Sequence, residues 1–172
     1  MKTALLSLAF FGLCATATPQ KVDNTTITTF DLDRYLGRWY EIARYDHFFE
    51  RGLVGCMADY SLRDDGKIKV LNSGHLNTLD GPYKESIGKA KARKNGTPGQ
   101  LQVSFFGPFY GDYDILELAP DYSYSVVGSS SPKYLWILSR TPQMSTTTKD
   151  KILRNLRQRG YDTSKLIWVE QR

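Results

Sequence analysis

Residues 56–74 read CMADYSLRDDGKIKVLNSG, and this stretch decides the fold class. Polar and apolar side chains alternate from Cys56 to Arg63, which is the two-residue period of a strand with one buried face. Asp64-Asp65-Gly66 is a tight-turn sequence, and Ile68 and Val70 resume the alternation after it. The stretch therefore predicts an antiparallel hairpin. Its inward-facing residues would be Cys56, Ala58, Tyr60, Leu62, Ile68 and Val70.

Further strand-like runs, separated by turn residues, lie on both sides of this hairpin. Eight such runs are the number that closes a small antiparallel barrel. The runs are Arg38–Tyr45, Cys56–Arg63, Lys67–Gly74, Lys84–Arg93, Gln100–Phe105, Tyr113–Leu118, Tyr122–Gly128 and Tyr134–Arg140. We therefore predict an all-β fold, an eight-stranded antiparallel up-and-down β-barrel.

The chain continues beyond the barrel with one helix and one short strand. Ser145 is a suitable N-cap for the helix, and Gly160 is a suitable residue to end it. Residues 166–169 are a further short run of strand-forming residues. The sequence thus predicts a C-terminal α-helix followed by a ninth strand.

The N-terminus has the pattern of an export signal. An apolar run, Ala4–Leu13, is followed by Ala15-Thr16-Ala17, the small residues that signal peptidase prefers. Cys14 stands where a bacterial lipoprotein carries its lipidated cysteine, but Leu13 is a poor residue for the position before it. Two outcomes stay open, cleavage after Ala17 and a lipid anchor at Cys14. Either one predicts an exported protein, periplasmic or at the outer membrane in a bacterium and otherwise secreted.

We divide the chain into a signal peptide over 1–17, a flexible polar segment over 18–29 and one domain over 30–172. The formal net charge of +5 favours anionic surfaces only weakly, and aromatic residues are not interleaved with the basic ones as in single-stranded nucleic-acid binders. We predict no nucleic-acid partner. The sequence leaves open whether the chain forms a homodimer.

Loops at one rim of the predicted barrel are unexpectedly apolar. Successive connections of a meander alternate between its ends, which brings loops 46–55 and 106–112 to the same rim. Two interpretations remain open: the aromatic side chains plug the barrel as core, or they form an entrance that contacts a lipid or a membrane surface. The residues are Phe48, Phe49, Phe106 and Phe109.

Alternation within the strands also predicts the lining of the interior, which would be apolar with a few hydroxyl groups. Such an interior suits an acyl chain, although a barrel of this size can also fill itself with side chains. The predicted ligand-binding residues are Cys56, Tyr60, Val70, Tyr113, Tyr124, Val126, Trp136 and Leu138. At the opposite, closed end, the trace makes Trp39 and Arg140 neighbours, and we interpret this pair as structural.

Three short motifs resemble the signature regions of the lipocalin family. They are Gly37-Arg38-Trp39-Tyr40, Gly111-Asp112-Tyr113-Asp114 and Arg140, in the family's order. Longer blocks such as RYLGRWYEIARYDHFFERG and YLWILSRTP are similar to the bacterial outer-membrane and apolipoprotein D branches of that family. The resemblance implies a calyx that stores or transports fatty acids or lysophospholipids for envelope or membrane maintenance. It also implies that Trp136 is a pocket tryptophan and Gly37 a structural position.

An enzymatic alternative depends on Cys56. An inward thiol in an apolar calyx resembles the arrangement in the lipocalin-type prostaglandin D synthases, which use a cavity cysteine. A reactive thiol needs a lowered pKa, and the inner face of the strand around Cys56 supplies no cation. No metal-binding spacing, phosphate-binding loop or nucleophile motif is present in the sequence. We therefore predict a binding protein without cofactor or metal.

Overall fold

The computed structural model describes residues 21–172. The predicted signal peptide, 1–17, and its Cys14 lie outside the described residues, as do residues 18–20. Within the described part, no helix is long and apolar enough to cross a membrane.

Nine strands and two α-helices form within residues 21–172. The helices are α1 (Leu32–Tyr35) and α2 (Thr146–Gln158), and a 3-10 turn spans Thr163–Lys165. The strands are β1 (Gly37–Arg44), β2 (Leu53–Leu62), β3 (Ile68–Leu76), β4 (Tyr83–Ala92), β5 (Gln100–Phe106), β6 (Phe109–Leu118), β7 (Tyr124–Gly128), β8 (Leu135–Ser139) and β9 (Ile167–Trp168).

All strand pairs are antiparallel, and the order β2-β3-β4-β5-β6-β7-β8-β1 is closed by pairing of β1 with β2. The short β9 lies outside this ring and pairs with β1. The predicted eight-stranded up-and-down barrel with a C-terminal helix and a ninth strand is confirmed.

Two strands extend further into the predicted rim loops than the sequence indicated. β2 begins at Leu53 and β6 at Phe109, and Phe106 pairs with Phe109 across the Gly107-Pro108 turn. Gly107 has a φ of +54°, which supplies the left-handed residue that this tight turn requires. Continued pairing satisfies backbone groups that an open loop would leave to water.

Helix α2 packs on the outside of the barrel. The Ser145 side chain accepts a hydrogen bond from the backbone N–H of Thr148 at 3.2 Å and so caps the helix. Ile152 and Leu156 are completely buried against the outer faces of β1, β7 and β8. Every residue of β7 is consequently buried, whereas buried and exposed residues would alternate along a strand with one solvent-exposed face.

The polar segment before the barrel, expected to be flexible, is held against it over 21–29. Backbone N–H groups of Asp23 and Ile27 donate to the carbonyl oxygens of Arg159 and Ile115, at 2.8 and 3.0 Å. The amino-acid composition does not predict these two hydrogen bonds, because main-chain groups form them and they depend little on residue type.

The closed end of the barrel is built around Trp39, which is completely buried. The guanidinium carbon of Arg140 lies 3.8 Å from the centre of the Trp39 ring system. Arg140 also donates to the carbonyl oxygens of Arg38 and Arg34, at 2.8 and 2.6 Å. Gly37 has a φ of +91° beside this guanidinium, so a side chain there would be strained. Arg140 thus ties α1 and β1 to the end of β8.

Replacing Arg140 by Lys is expected to lower the free energy of unfolding by about 1–3 kcal/mol, because a single ammonium cannot make both carbonyl bonds and cover the indole. Urea denaturation followed by circular dichroism measures the change. The matched control is Arg63→Lys, since Arg63 only pairs with the exposed Asp65, and its effect should stay below about 0.5 kcal/mol. Equal effects of the two substitutions would contradict this role of Arg140.

Candidate functional site

The lower half of the calyx, towards α1, contains a buried cluster of tyrosine hydroxyl groups. The Tyr113 hydroxyl lies 2.8 Å from that of Tyr35 and 3.0 Å from that of Tyr60, and the Tyr35 hydroxyl is 3.0 Å from Ser125 Oγ. Burial raises the pKa of Tyr35 to about 12 and also raises the pKa of Tyr60. These hydroxyl groups are therefore neutral hydrogen-bonding groups at the base of an apolar chamber.

Side chains fill most of the space around this cluster. The remaining cavity is about 10 Å³, room for one water-sized sphere. A longer apolar ligand can enter the lower calyx only if side chains move. The cavity is lined by Leu32, Tyr35, Tyr60, Ile68, Val70, Ala90, Leu101, Val103 and Tyr113.

The upper half of the calyx, towards the rim, contains a buried ionic cluster of Glu41, Arg44 and Glu50. Arg44 is only 3% exposed, and its Nη1 donates to Glu41 Oε1 at 2.6 Å. Its Nε lies 4.0 Å from Glu50 Oε2, which accepts a hydrogen bond from Trp136 Nε1 at 3.1 Å. Arg44 Nη2 donates to the main-chain oxygens of Glu50 and Leu53, at 2.7 and 3.1 Å. The cluster therefore holds the β1–β2 loop in place.

Burial changes the protonation of this region. Desolvation, together with the charge of Glu50, raises the pKa of Glu41 to about 8 despite the contact with Arg44. Desolvation also raises the pKa of Glu50. Burial beside Arg44 lowers the pKa of His47 to about 4, so this imidazole is neutral at pH 7. The His47 ring stacks on Phe49 and Tyr134 and lies tilted against Trp136, with 4.5 Å between the ring centres.

Sequence reasoning missed the inward position of Arg44 because β1 does not alternate regularly after Glu41. Its pairing with β8 shifts register between Glu41 and Ala43. Ile42 and Ala43 both pack on the helix side, so Arg44 turns inward where strict alternation would have directed it outward. A bulge of this kind leaves no clear pattern in the sequence.

Cys56 is buried inside the barrel, with its Sγ 3.8 Å from Arg44 Nη1. The cation that sequence reasoning did not find on the same strand thus comes from β1. Burial, supported by the charge of Glu41, nevertheless raises the pKa of the thiol to about 12. The thiol is therefore protonated at neutral pH.

Most predicted lining residues lie inside, but the prediction for β7 is wrong. Tyr124 and Val126 belong to the cluster between the barrel and α2, and the Tyr124 hydroxyl donates to Glu117 Oε1 at 2.6 Å. Ser125 and Val127 take the inner face instead. On β7 the larger side chains, those of Tyr124 and Val126, pack under α2. Side-chain size therefore does not indicate which face of this strand lines the barrel. The predicted residues found inside are Cys56, Tyr60, Val70, Tyr113, Trp136 and Leu138.

The rim aromatics are strongly exposed rather than folded into the barrel. Phe48 is 78% exposed and Phe106 80%, with Phe49 and Phe109 also exposed. Tyr83, the first residue of β4 at the same end, is exposed as well. The interpretation of these residues as a core plug is therefore wrong. Their role in ligand entry stays a prediction.

These features define a class: a small closed barrel with a sealed floor, an apolar, hydroxyl-bearing lower interior below a buried ionic cluster, and exposed aromatic side chains at the other rim. This is the form of a carrier for small hydrophobic molecules. The family model described as a lipocalin-like domain matches residues 30–171. The chain belongs to the lipocalin family, consistent with binding of small hydrophobic ligands.

Relatives extend across kingdoms. The chain is 48% identical to the outer membrane lipoprotein Blc of Escherichia coli (strain K12), over 92% of this chain and 88% of the relative. It is 35% identical to apolipoprotein D of Mus musculus, over 83% of this chain and 77% of the relative. The solved structure of insecticyanin from Manduca sexta matches with a TM-score of 0.71 at 23% identity, over 87% and 85% of the two chains, and supports the fold alone.

Cys56 is expected to react slowly with iodoacetamide at pH 8, because the thiolate is a small fraction of a buried thiol with a raised pKa. The measurement uses a Cys14→Ser chain, so that Cys56 is the remaining cysteine. Labelling followed by mass spectrometry should be at least about 100-fold slower in the native protein than in urea. Comparable rates in the two conditions would contradict a shielded, protonated thiol.

Proposed function

We propose that the calyx binds one single-chain amphiphile, a fatty acid or a lysophospholipid, and stores or transports it for maintenance of the envelope. The observation that carries this proposal is the apolar lower interior of the barrel, with Tyr35, Tyr60 and Tyr113 supplying polar atoms inside. Membership in the lipocalin family supports a small hydrophobic ligand.

We further propose that the protein is exported and works in a bacterial envelope. The similarity to an Escherichia coli protein named as an outer membrane lipoprotein supports this location. A lipid anchor at Cys14 and release after Ala17 remain the two alternatives, and both deliver the domain to the same compartment.

Catalysis by Cys56 is the weaker alternative. A nucleophilic thiol must lose its proton, but burial raises the pKa of Cys56 far above neutral despite the nearby Arg44. Relatives that are 46–48% identical to this chain are named as outer membrane lipoproteins rather than as enzymes. We therefore propose binding without turnover.

Lysophospholipid and fatty acid should each cause a saturable change in tryptophan fluorescence, and Trp136→Phe should remove most of it because Trp136 lines the upper calyx. Trp136→Ala should weaken binding at least about tenfold, which corresponds to ~1.4 kcal/mol. Tyr124→Phe is the matched control, since Tyr124 packs under α2, and it should leave the affinity unchanged. A response that survives in Trp136→Phe, or its absence with every amphiphile in the wild-type protein, would contradict the proposal.

The exposed rim supports a second element of the proposal, peripheral contact with a membrane from which the ligand is taken. At one end of the barrel, the β1–β2 loop and the tip of the β5–β6 hairpin expose four aromatic side chains: Phe48, Phe49, Phe106 and Phe109. An apolar set of this kind at the mouth gains free energy when it enters the interface between head groups and acyl chains.

Changing Phe106 and Phe109 together to Ser should lower partitioning to phospholipid vesicles by about tenfold or more, because two large apolar side chains no longer leave water. Vesicle co-sedimentation measures this partitioning. Ile87→Ser is the matched control, since Ile87 is 55% exposed but lies on the outer wall of β4. An equal loss with the control substitution would show that general surface hydrophobicity, rather than the rim, governs the contact.

A further inference from the structure

The ionic cluster of the upper calyx contains more acid than base. Two carboxyl groups, those of Glu41 and Glu50, share the single guanidinium of Arg44. The side chains of Glu41 and Arg44 are 9% and 4% exposed, and that of Glu50 is 13% exposed. Buried charges are screened weakly by solvent, so an excess carboxylate here is costly unless something neutralises it.

The other titratable groups around the cluster do not supply the missing positive charge. His47 in the β1–β2 loop is held neutral by burial beside Arg44, which lowers its pKa. Cys56 and Tyr60 on β2 are held protonated because burial raises their pKa values. Lys84 occupies an inner register position on β4 but is exposed. With both carboxylates ionised, the buried cluster would therefore carry one negative charge.

A proton retained on Glu41 would remove that charge in the protein without ligand. Burial and the neighbouring Glu50 both raise the pKa of Glu41. The raised pKa favours a retained proton on this carboxyl group, and a positive charge arriving beside it favours ionisation.

We propose that the calyx selects its amphiphile by the charge of the head group, and that a positively charged head group binds beside Glu41, Glu50 and Trp136 and replaces the proton held by Glu41. The proton is released to solvent, so the charge of the cluster and ligand together is balanced before and after binding. This inference rests on the proposed function, in which the calyx binds a single-chain amphiphile.

The local chemistry favours a cation over an anion. Carboxylates attract an ammonium group, and the two carboxyl groups of the cluster share one guanidinium. The donors of Arg44 already bond Glu41 and the main chain of Glu50 and Leu53. A ligand carboxylate would therefore have to break the contacts that hold the β1–β2 loop, or bring a proton of its own.

The pH dependence follows from the direction of proton transfer. Binding of a cation releases a proton, so its affinity should rise with pH while Glu41 is protonated in the free protein and level off once that group has ionised. Binding of a carboxylate is coupled to proton uptake, and its affinity should fall over the same range.

The test is isothermal titration calorimetry of the folded protein with two probes of equal chain length, dodecyltrimethylammonium and dodecanoate, both below their micelle concentrations. Titrations at pH 7 in phosphate and in Tris, which differ in ionisation enthalpy, count the protons exchanged. We expect the ammonium probe to bind at least about tenfold tighter and to release a proton. Dodecanoate should take one up.

Glu41→Gln keeps the shape of the side chain but removes the titrating group. In this variant the proton release should vanish and the preference for the ammonium probe should shrink, while Glu85→Gln should keep both. Glu85 is an exposed residue on the outer face of β4, so its substitution controls for the change in net charge. Proton counting on the wild-type protein needs no variant, so it decides the question even if Glu41→Gln does not fold.

The outcomes separate the two proposals. If dodecanoate binds as tightly as the ammonium probe, or if wild-type binding exchanges no proton, selection by charge is overturned while amphiphile binding stands. If neither probe binds, and lysophospholipid does not bind either, both proposals are overturned.

Discussion

Closure of the barrel depends on β1, because this one strand must pair with β2 over its first half and with β8 over its second. Trp39 in the first half faces inward and seals the floor under Arg140. The register shift after Glu41 then rotates the strand, so that Ala43 packs under α2 and Arg44 enters the calyx. The sealed floor and the charged upper chamber are thus two consequences of how a single strand closes the ring.

Much of the fold could be predicted because polar and apolar residues alternate along any strand that has one buried face and one solvent-exposed face. Tyr60 and Val70 on the β2–β3 hairpin were assigned to the interior for this reason. The same reasoning failed on β7, where α2 covers the outer face and both faces are buried. Alternation then carries no information, and Tyr124 and Val126 were taken for lining residues although they pack under the helix.

The candidate site was harder to predict than the fold because part of it depends on irregular geometry. Arg44 enters the calyx through a bulge, and Tyr35 reaches the hydroxyl cluster from α1, a helix of four residues that has no detectable period. The rim aromatics were predictable, since apolar residues in loops stand out in any alternating pattern. What the sequence did not reveal is that Phe106 and Phe109 are paired in a strand hairpin, which holds them more rigidly than a loop would.

Burying the charges of Glu41, Arg44 and Glu50 costs desolvation free energy, and this cost has to be compared with the contacts that the cluster makes. Replacing a buried ion pair by well-packed apolar residues of similar size often leaves a protein equally stable or more stable. The cluster therefore does not by itself indicate a gain in the free energy of unfolding. Arg44, however, fixes the backbone of the β1–β2 loop at Glu50 and Leu53, and Glu50 accepts from Trp136 on β8. The loop that carries Phe48 and Phe49 to the mouth is therefore fastened by the same charges that a polar head group would meet inside. The contacts that fix the entrance loop and the charges proposed to meet the head group thus belong to the same three side chains, Glu41, Arg44 and Glu50.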